Sequence, residues 1–321
     1  MARVIDSVVG HQDEINKLFQ LKQKGRWPHA IMLVGPSGIG KKKIALGMAQ
    51  ALVCESSSEG CGQCGSCLRI EKLQSESLIV IEPDAELARP VIKVEKIRTL
   101  LDSLALANLA SARVVIIDQA QLMNPQASNA LLKTLEEPTD NVFFILLAPD
   151  VHQFLPTIRS RSQVMRFHAL SYEQLKQIKP QQPDWAYRAC RGRVDLLTSL
   201  ASREGAEKRD ESLTFLEQFL TDEEFLLDKG WRDIVKDRAW AIFCVNCWMQ
   251  LIRDAIVLKT QAQKFILNTD QSERLKQFFS LSDAKLNWLG EQLVRVEKDI
   301  NSNADTALAF EDLWVRYARV D

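Results

Sequence analysis

Ala30-Ile31-Met32-Leu33-Val34-Gly35-Pro36-Ser37-Gly38-Ile39-Gly40-Lys41-Lys42 joins a five-residue apolar run to a glycine-rich turn and then to a stretch of helical pattern. An apolar run that does not alternate reads as a strand buried on both faces. The G-x-x-x-x-G-K spacing that follows lets backbone N–H groups wrap phosphate oxygens, with the positive end of the next helix behind them and Lys41 reaching the outer phosphates. A strand before and a helix after are the context that makes this spacing informative. Gly35, Gly38, Gly40 and Lys41 are therefore candidate nucleotide-binding residues.

Working outward, Leu78–Ile81, Arg113–Ile117 and Val142–Leu147 are further continuous apolar runs, separated by helical stretches at about 42–54, 94–106 and 124–135. The pattern predicts an α/β domain built on a parallel sheet with helical crossovers. After Phe167 the strand signals stop. Ser171-Tyr172-Glu173-Gln174 has the spacing of a capping box, Pro180 and Pro183 follow, and a further helical stretch runs to Ser199. From about residue 206 the pattern is helical throughout. Trp231, Trp240, Trp248, Trp288 and Trp314 are expected in its core rather than on an interaction surface.

The 321 residues are 46% hydrophobic and 26% charged with a net charge of −1, enough chain for two or three domains and without the basic excess of a nucleic-acid binder. The first residues do not read as a signal or transit peptide, and no uninterrupted apolar run reaches the eighteen or so residues of a membrane span. The expectation is a cytoplasmic protein without a membrane partner.

The nucleotide motif departs from that of a hydrolase in three places. Lys42 stands where a Ser or Thr hydroxyl would hold magnesium. Asp118, at the end of the third apolar run, is a candidate metal carboxylate, but Gln119 follows it where a glutamate would orient water. Loss of a general base costs about 10²–10⁴-fold in rate. Ala148-Pro149-Asp150 lies where a Thr, Ser or Asn would touch the γ-phosphate. The changes point the same way, toward lost hydrolysis and doubtful magnesium binding, with ATP or ADP binding left open.

Cys54, Cys61, Cys64 and Cys67 form C-x6-C-x2-C-x2-C, with Gly60, Gly62 and Gly65 as turn formers. This reads as a closed structural zinc site; an iron–sulfur cluster is the alternative, against which stands the missing Cys-Pro. Cys190, Cys244 and Cys247 read as core side chains, and His11, His29, His152 and His168 have no ligand spacing. Leu155-Pro156-Thr157-Ile158-Arg159-Ser160-Arg161-Ser162 reads in isolation as a solvated turn.

The phosphate loop, the inserted cysteine module, Asp118, Ser160-Arg161 and the helical tail, in this order, resemble the clamp-loader branch of the AAA+ proteins. Val9-Gly10-His11-Gln12, Pro28-His29-Ala30 and especially Asn129-Ala130-Leu131-Leu132-Lys133-Thr134-Leu135-Glu136-Glu137-Pro138 are similar to that branch. The similarity continues through 248–254 and 303–311, covering nearly the whole chain.

The resemblance implies an AAA+ P-loop domain over 1–168 with a zinc module at 54–67, a helical lid over 169–205 and an all-helical collar domain over 206–321. It implies that Arg161 acts in trans on ATP held by a neighbouring subunit, with Ser162 replacing the cysteine of the family's Ser-Arg-Cys motif, and that Arg193 lies near the sensor arginine of the lid. It further implies a hetero-pentameric ring with gamma/tau motor subunits and a delta subunit, working on the sliding clamp and primed DNA. The departures at Lys42, Gln119 and Ala148 suit a hydrolytically silent subunit of that branch. Two other readings compete. A self-sufficient AAA+ ATPase is opposed by Lys42, Gln119 and the short C-terminal region. A zinc-dependent DNA-binding module is opposed by the absence of Lys and Arg from 54 to 67.

Overall fold

The structure, a computed structural model, describes residues 3–84, 90–105, 112–222, 225 and 230–320. Its five strands are β1 (Ala30–Val34), β2 (Leu78–Ile81), β3 (Arg113–Ile117), β4 (Val142–Ala148) and β5 (Gln163–Arg166), all parallel, in the order β2-β3-β4-β1-β5. The first four are the apolar runs expected from sequence. β5 was not: Gln163-Val164-Met165-Arg166 has apolar residues only at its centre, as an edge strand with one neighbour can.

The helices are α1 (Gln12–Gln23), α2 (Lys41–Val53), α3 (Gly65–Glu71), α4 (Val94–Ala105), α5 (Pro125–Glu136), α6 (Pro156–Ser160), α7 (Tyr172–Ile178), α8 (Asp184–Ala189), α9 (Val194–Leu200), α10 (Arg203–Thr221), α11 (Gly230–Val235), α12 (Arg238–Lys259), α13 (Ser272–Gln277), α14 (Asp283–Asn301) and α15 (Thr306–Tyr317). Leu106, expected to end α4, lies outside the described residues. Two compact units result, Met1–Ile178 with Gly192–Asp195, and Lys179–Arg191 with Leu196–Asp321.

In the first unit, successive strand residues point to opposite faces of the sheet. Met32, Val115, Ile117, Phe144 and Leu146 share one core cluster with Ile97 and Leu100 of α4 and Leu131 and Leu135 of α5. The alternate residues Ile31, Leu33, Val114, Ile116, Ile145 and Leu147 are equally buried, on the face that α2 covers. Helices on both faces explain why these strands are apolar throughout. Local signals set the boundaries. Asn124 caps α5 by accepting from the Ala127 N–H (2.7 Å), with Pro125 opening the helix. The Ser171 hydroxyl accepts from the Gln174 N–H (3.2 Å) while the Gln174 side chain accepts from the Ser171 N–H (2.8 Å), the reciprocal box read from sequence.

The second unit is helical. Trp248 is fully buried among Phe215, Phe219 and Phe310, and its indole N–H donates to the Ser212 carbonyl (2.8 Å). Trp231 is also buried; Trp240, Trp288 and Trp314 pack against the same cluster while partly exposed. Trp248→Ala should cost about 3–5 kcal/mol, because the cavity it leaves cannot collapse fully. Urea unfolding should show a lowered midpoint, and an unchanged midpoint would mean that this cluster is not the core.

By length and composition α12 could cross a membrane, although it holds no uninterrupted apolar run of eighteen residues. Asn246, Gln250, Arg253 and Asp254 interrupt the apolar run, which is why counting consecutive apolar residues misses it. The helix is the core of its unit, packed on α10 and α14. Asp254 on it is fully buried and accepts from the backbone N–H groups of Leu267 and Asn268 and from the Asn268 side chain.

Candidate functional site

Parallel strands bring their carboxyl ends to one edge of a sheet, where ligands bind in open α/β folds. Here that edge gathers the phosphate loop after β1, Asp118 after β3 and Ala148 at the end of β4. Because β4 lies between β1 and β3, Ala148 sits between the loop and Asp118 in strand order. The Ala148 carbonyl accepts from the Gly35 N–H (3.1 Å) and ties the loop to the sheet.

A cavity of about 590 Å³ opens above this edge. Ser37, Lys41, Lys42, Lys43, Asp118, Gln119 and Arg193 line its polar part, and Val8, Val9, Ile39, Ala148, Leu170 and Ile178 contribute apolar wall. A polyphosphate on the loop and a flat apolar ring against the valines would suit the two parts. Gly38 and Gly40 have φ of 70° and 100°, in the left-handed region that favours glycine. A Cβ at Gly38 would stand 1.8 Å from an Asp195 carboxylate oxygen, so close packing excludes one there as well.

Lys41 is buried to 9% exposure and its ammonium donates to the carbonyls of Gly35 and Pro36 (2.6 Å each). Burial pulls it down to about 8, against the opposing pull of Asp118 and Asp195. Lys42 ion-pairs with Glu82, which follows β2, and its Nζ lies 3.7 Å from Asp118 Oδ2. A divalent cation on Asp118 would have to share that carboxylate with this ammonium. Two like unit charges 4 Å apart near a protein surface repel by about 4 kcal/mol, a divalent ion doubles this, and solvent around half-exposed Lys42 reduces it. The residues present do not fit magnesium held in the usual way. Gln119 lines the cavity with a left-handed φ of 49°, and Ala148 offers no side-chain donor.

Arg193 shares the cavity and pairs with Asp195 (2.8 Å). Asp195, Glu82 and Glu136 are the site-associated carboxylates that sequence reading passed over. A carboxylate directly after an apolar strand was the one available signal for Glu82. Arg161 does not line this cavity. It ends α6 at the surface, 34% exposed, with its guanidinium on Glu136 (2.7 Å) and on the Thr157 carbonyl (3.1 Å). The 129–138 block and the Ser160-Arg161 element, quoted separately above, thus meet in one ion pair.

Cys54 follows α2, Cys61 lies in the loop, and Cys64 and Cys67 cap and open α3. All four sulfurs lie within 4.8 Å of one another, with Cys54–Cys64 at 4.0 Å and Cys61–Cys67 at 3.9 Å. Four sulfurs at the zinc–thiolate bond length of about 2.3 Å stand about 3.8 Å apart in a tetrahedron. The donor set fits zinc. N–H groups of Cys61, Cys64 and Cys67 point at the sulfurs of Cys54, Cys61 and Cys64 (3.4, 3.2 and 3.5 Å) and favour thiolates. Gly60 and Gly62 have positive φ; Gly65, expected as a third turn former, lies in α3. The module is anchored through buried Gln50, which donates to the Cys67 carbonyl (3.0 Å) and accepts from the Val4 N–H (2.9 Å). Cys190, Cys244 and Cys247 are buried core residues, as expected.

Comparison with known proteins matches residues 10–171 to the family described as DNA polymerase III, delta subunit. DNA polymerase III subunit delta' of Pseudomonas aeruginosa is 36% identical over 145 residues, 44% of each chain. DNA polymerase III subunit tau of Escherichia coli is 36% identical over 172 residues, 53% of this chain and 26% of its own. These alignments span under half the length of either relative. A solved gamma-subunit-related protein of Thermotoga maritima overlaps 96% of this chain and 99% of its own at 18% identity and a TM-score of 0.47. With a family match over half its length and a P-loop parallel sheet under it, the chain belongs to the DNA polymerase III delta-subunit family.

Proposed function

We propose that this chain is the hydrolytically silent subunit of a clamp loader, holding one place in a hetero-pentameric ring with gamma/tau motor subunits and a delta subunit. The observation that carries this reading is the Lys42 ammonium lying between Asp118 and Glu82, next to Gln119 and Ala148. Metal, water and γ-phosphate each lose the side chain that a hydrolase would give them. Arg161 is the catalytic contribution, made in trans, and Glu136 holds it at the surface until a neighbour's phosphates compete for it. Arg193 belongs to the chain's own nucleotide site, and the cysteine cluster holds a structural zinc ion. Residues 1–168, 169–205 and 206–321 serve as P-loop domain, lid and collar.

The test is reconstitution. Motor subunit, delta subunit, sliding clamp and primed DNA should load clamps only when this chain is added. Undiminished loading without it would overturn the assignment. A zinc-dependent DNA reader would instead show salt-sensitive DNA binding by the isolated chain, which a cysteine module carrying Glu55 and Glu59 and no Lys or Arg does not favour.

A further inference from the structure

We infer that the phosphate-loop site binds a nucleoside polyphosphate without a divalent cation, Lys42 supplying the positive charge that magnesium supplies elsewhere. This rests on the reading of the site as silent and deepens it. An altered loop could simply be dead, but the geometry argues otherwise. Gly38 and Gly40 keep the left-handed conformations that turn N–H groups inward, and Gly40 still caps α2. Lys41 is held in the loop itself, and the cavity keeps an apolar wall beside its polar part. What has changed is the cation.

An ammonium has three donors. Glu82 and Asp118 engage Lys42 from the β2 and β3 ends of the sheet edge, which fixes its position and leaves donor capacity for a phosphate oxygen. Lys41, Lys42, Lys43 and Arg193 are the cations lining the cavity, and of these Lys42 is the one paired with Asp118 and Glu82. Lys42 also occupies the carboxylate that an incoming magnesium ion would need, so magnesium should add nothing to binding. The ligand class is therefore a nucleoside di- or triphosphate in its metal-free form.

The test is calorimetric titration of the full chain with ADP, once in EDTA and once in excess magnesium chloride, for wild type, Lys42→Thr and Lys42→Arg. Wild type should bind equally in both. Lys42→Thr should lose about tenfold in EDTA, about 1.4 kcal/mol, and regain it with magnesium. Lys42→Arg keeps the cation and should stay magnesium-independent, which separates loss of charge from misfolding. Tenfold tighter wild-type binding with magnesium, no binding in either buffer, or an unaffected Lys42→Thr would each overturn the inference. Phosphate release from ATP, measured on the same wild-type sample, distinguishes the two readings. Turnover refutes the silent site, whereas absent ADP binding refutes only this inference, because a silent subunit needs no nucleotide.

Discussion

Arg161→Ala should lower ATP turnover at the neighbouring site it serves by about 10³-fold or more, the contribution of an arginine supplied in trans to a transferring phosphoryl group. Its placement is the reason. The guanidinium lies outside the phosphate-loop cavity, at the surface end of α6, and its partner Glu136 is itself 46% exposed. A pair this open contributes at most about 1 kcal/mol to stability. The alanine variant should therefore fold and assemble normally, and the loss should appear only in chemistry. In the proposed complex with clamp and primed DNA, the steady-state ATPase should fall less than that single site does wherever further hydrolysing sites are present. A single-turnover measurement separates the two. Arg161→Lys should rescue little, since a point charge lacks the guanidinium fork. Unchanged single-turnover hydrolysis in Arg161→Ala would remove the trans role.

The second large effect concerns the cysteines. The purified chain should carry one zinc ion, and the Cys61→Ser, Cys64→Ser double variant should carry none. Apparent binding energies of about 10–16 kcal/mol for structural zinc in small modules mean that the 54–67 loop should not hold its form without the metal. Loss should spread to Gln50, whose buried amide joins the Cys67 carbonyl to the Val4 N–H. The expected readout is proteolytic cutting within 54–67 and a lowered melting temperature. Iron in place of zinc would favour the iron–sulfur alternative, and a metal-free wild-type chain with an unaltered melt would dismiss the metal site.

Much of the fold is legible in sequence because parallel strands covered on both faces must be apolar throughout. β1 to β4 announce themselves this way, while β5 does not: an edge strand pairs on one side and tolerates Gln163 and Arg166. The helix starts at Asn124 and Ser171 are equally readable, since capping is local chemistry. The site is legible in its motif and not in its partnerships. Gly38, Lys41, Lys42 and Asp118 follow from spacing and strand ends. The contacts of Lys42 with Glu82, 40 residues away, and of Gly38 with Asp195 depend on chain segments meeting in three dimensions, and no local pattern encodes them. The pairing of Arg161 with Glu136 is of the same kind. α12 is a core helix that passes a membrane test of length and composition, because burial in protein and burial in lipid select similar side chains.

On the proposed reading this chain keeps a phosphate loop without hydrolysis, and phosphate release by the purified chain with ATP, magnesium and primed DNA, set beside its Lys41→Ala variant, is the decisive measurement. The two should be indistinguishable and close to the rate without protein. Substantial turnover that Lys41→Ala abolishes would contradict the account.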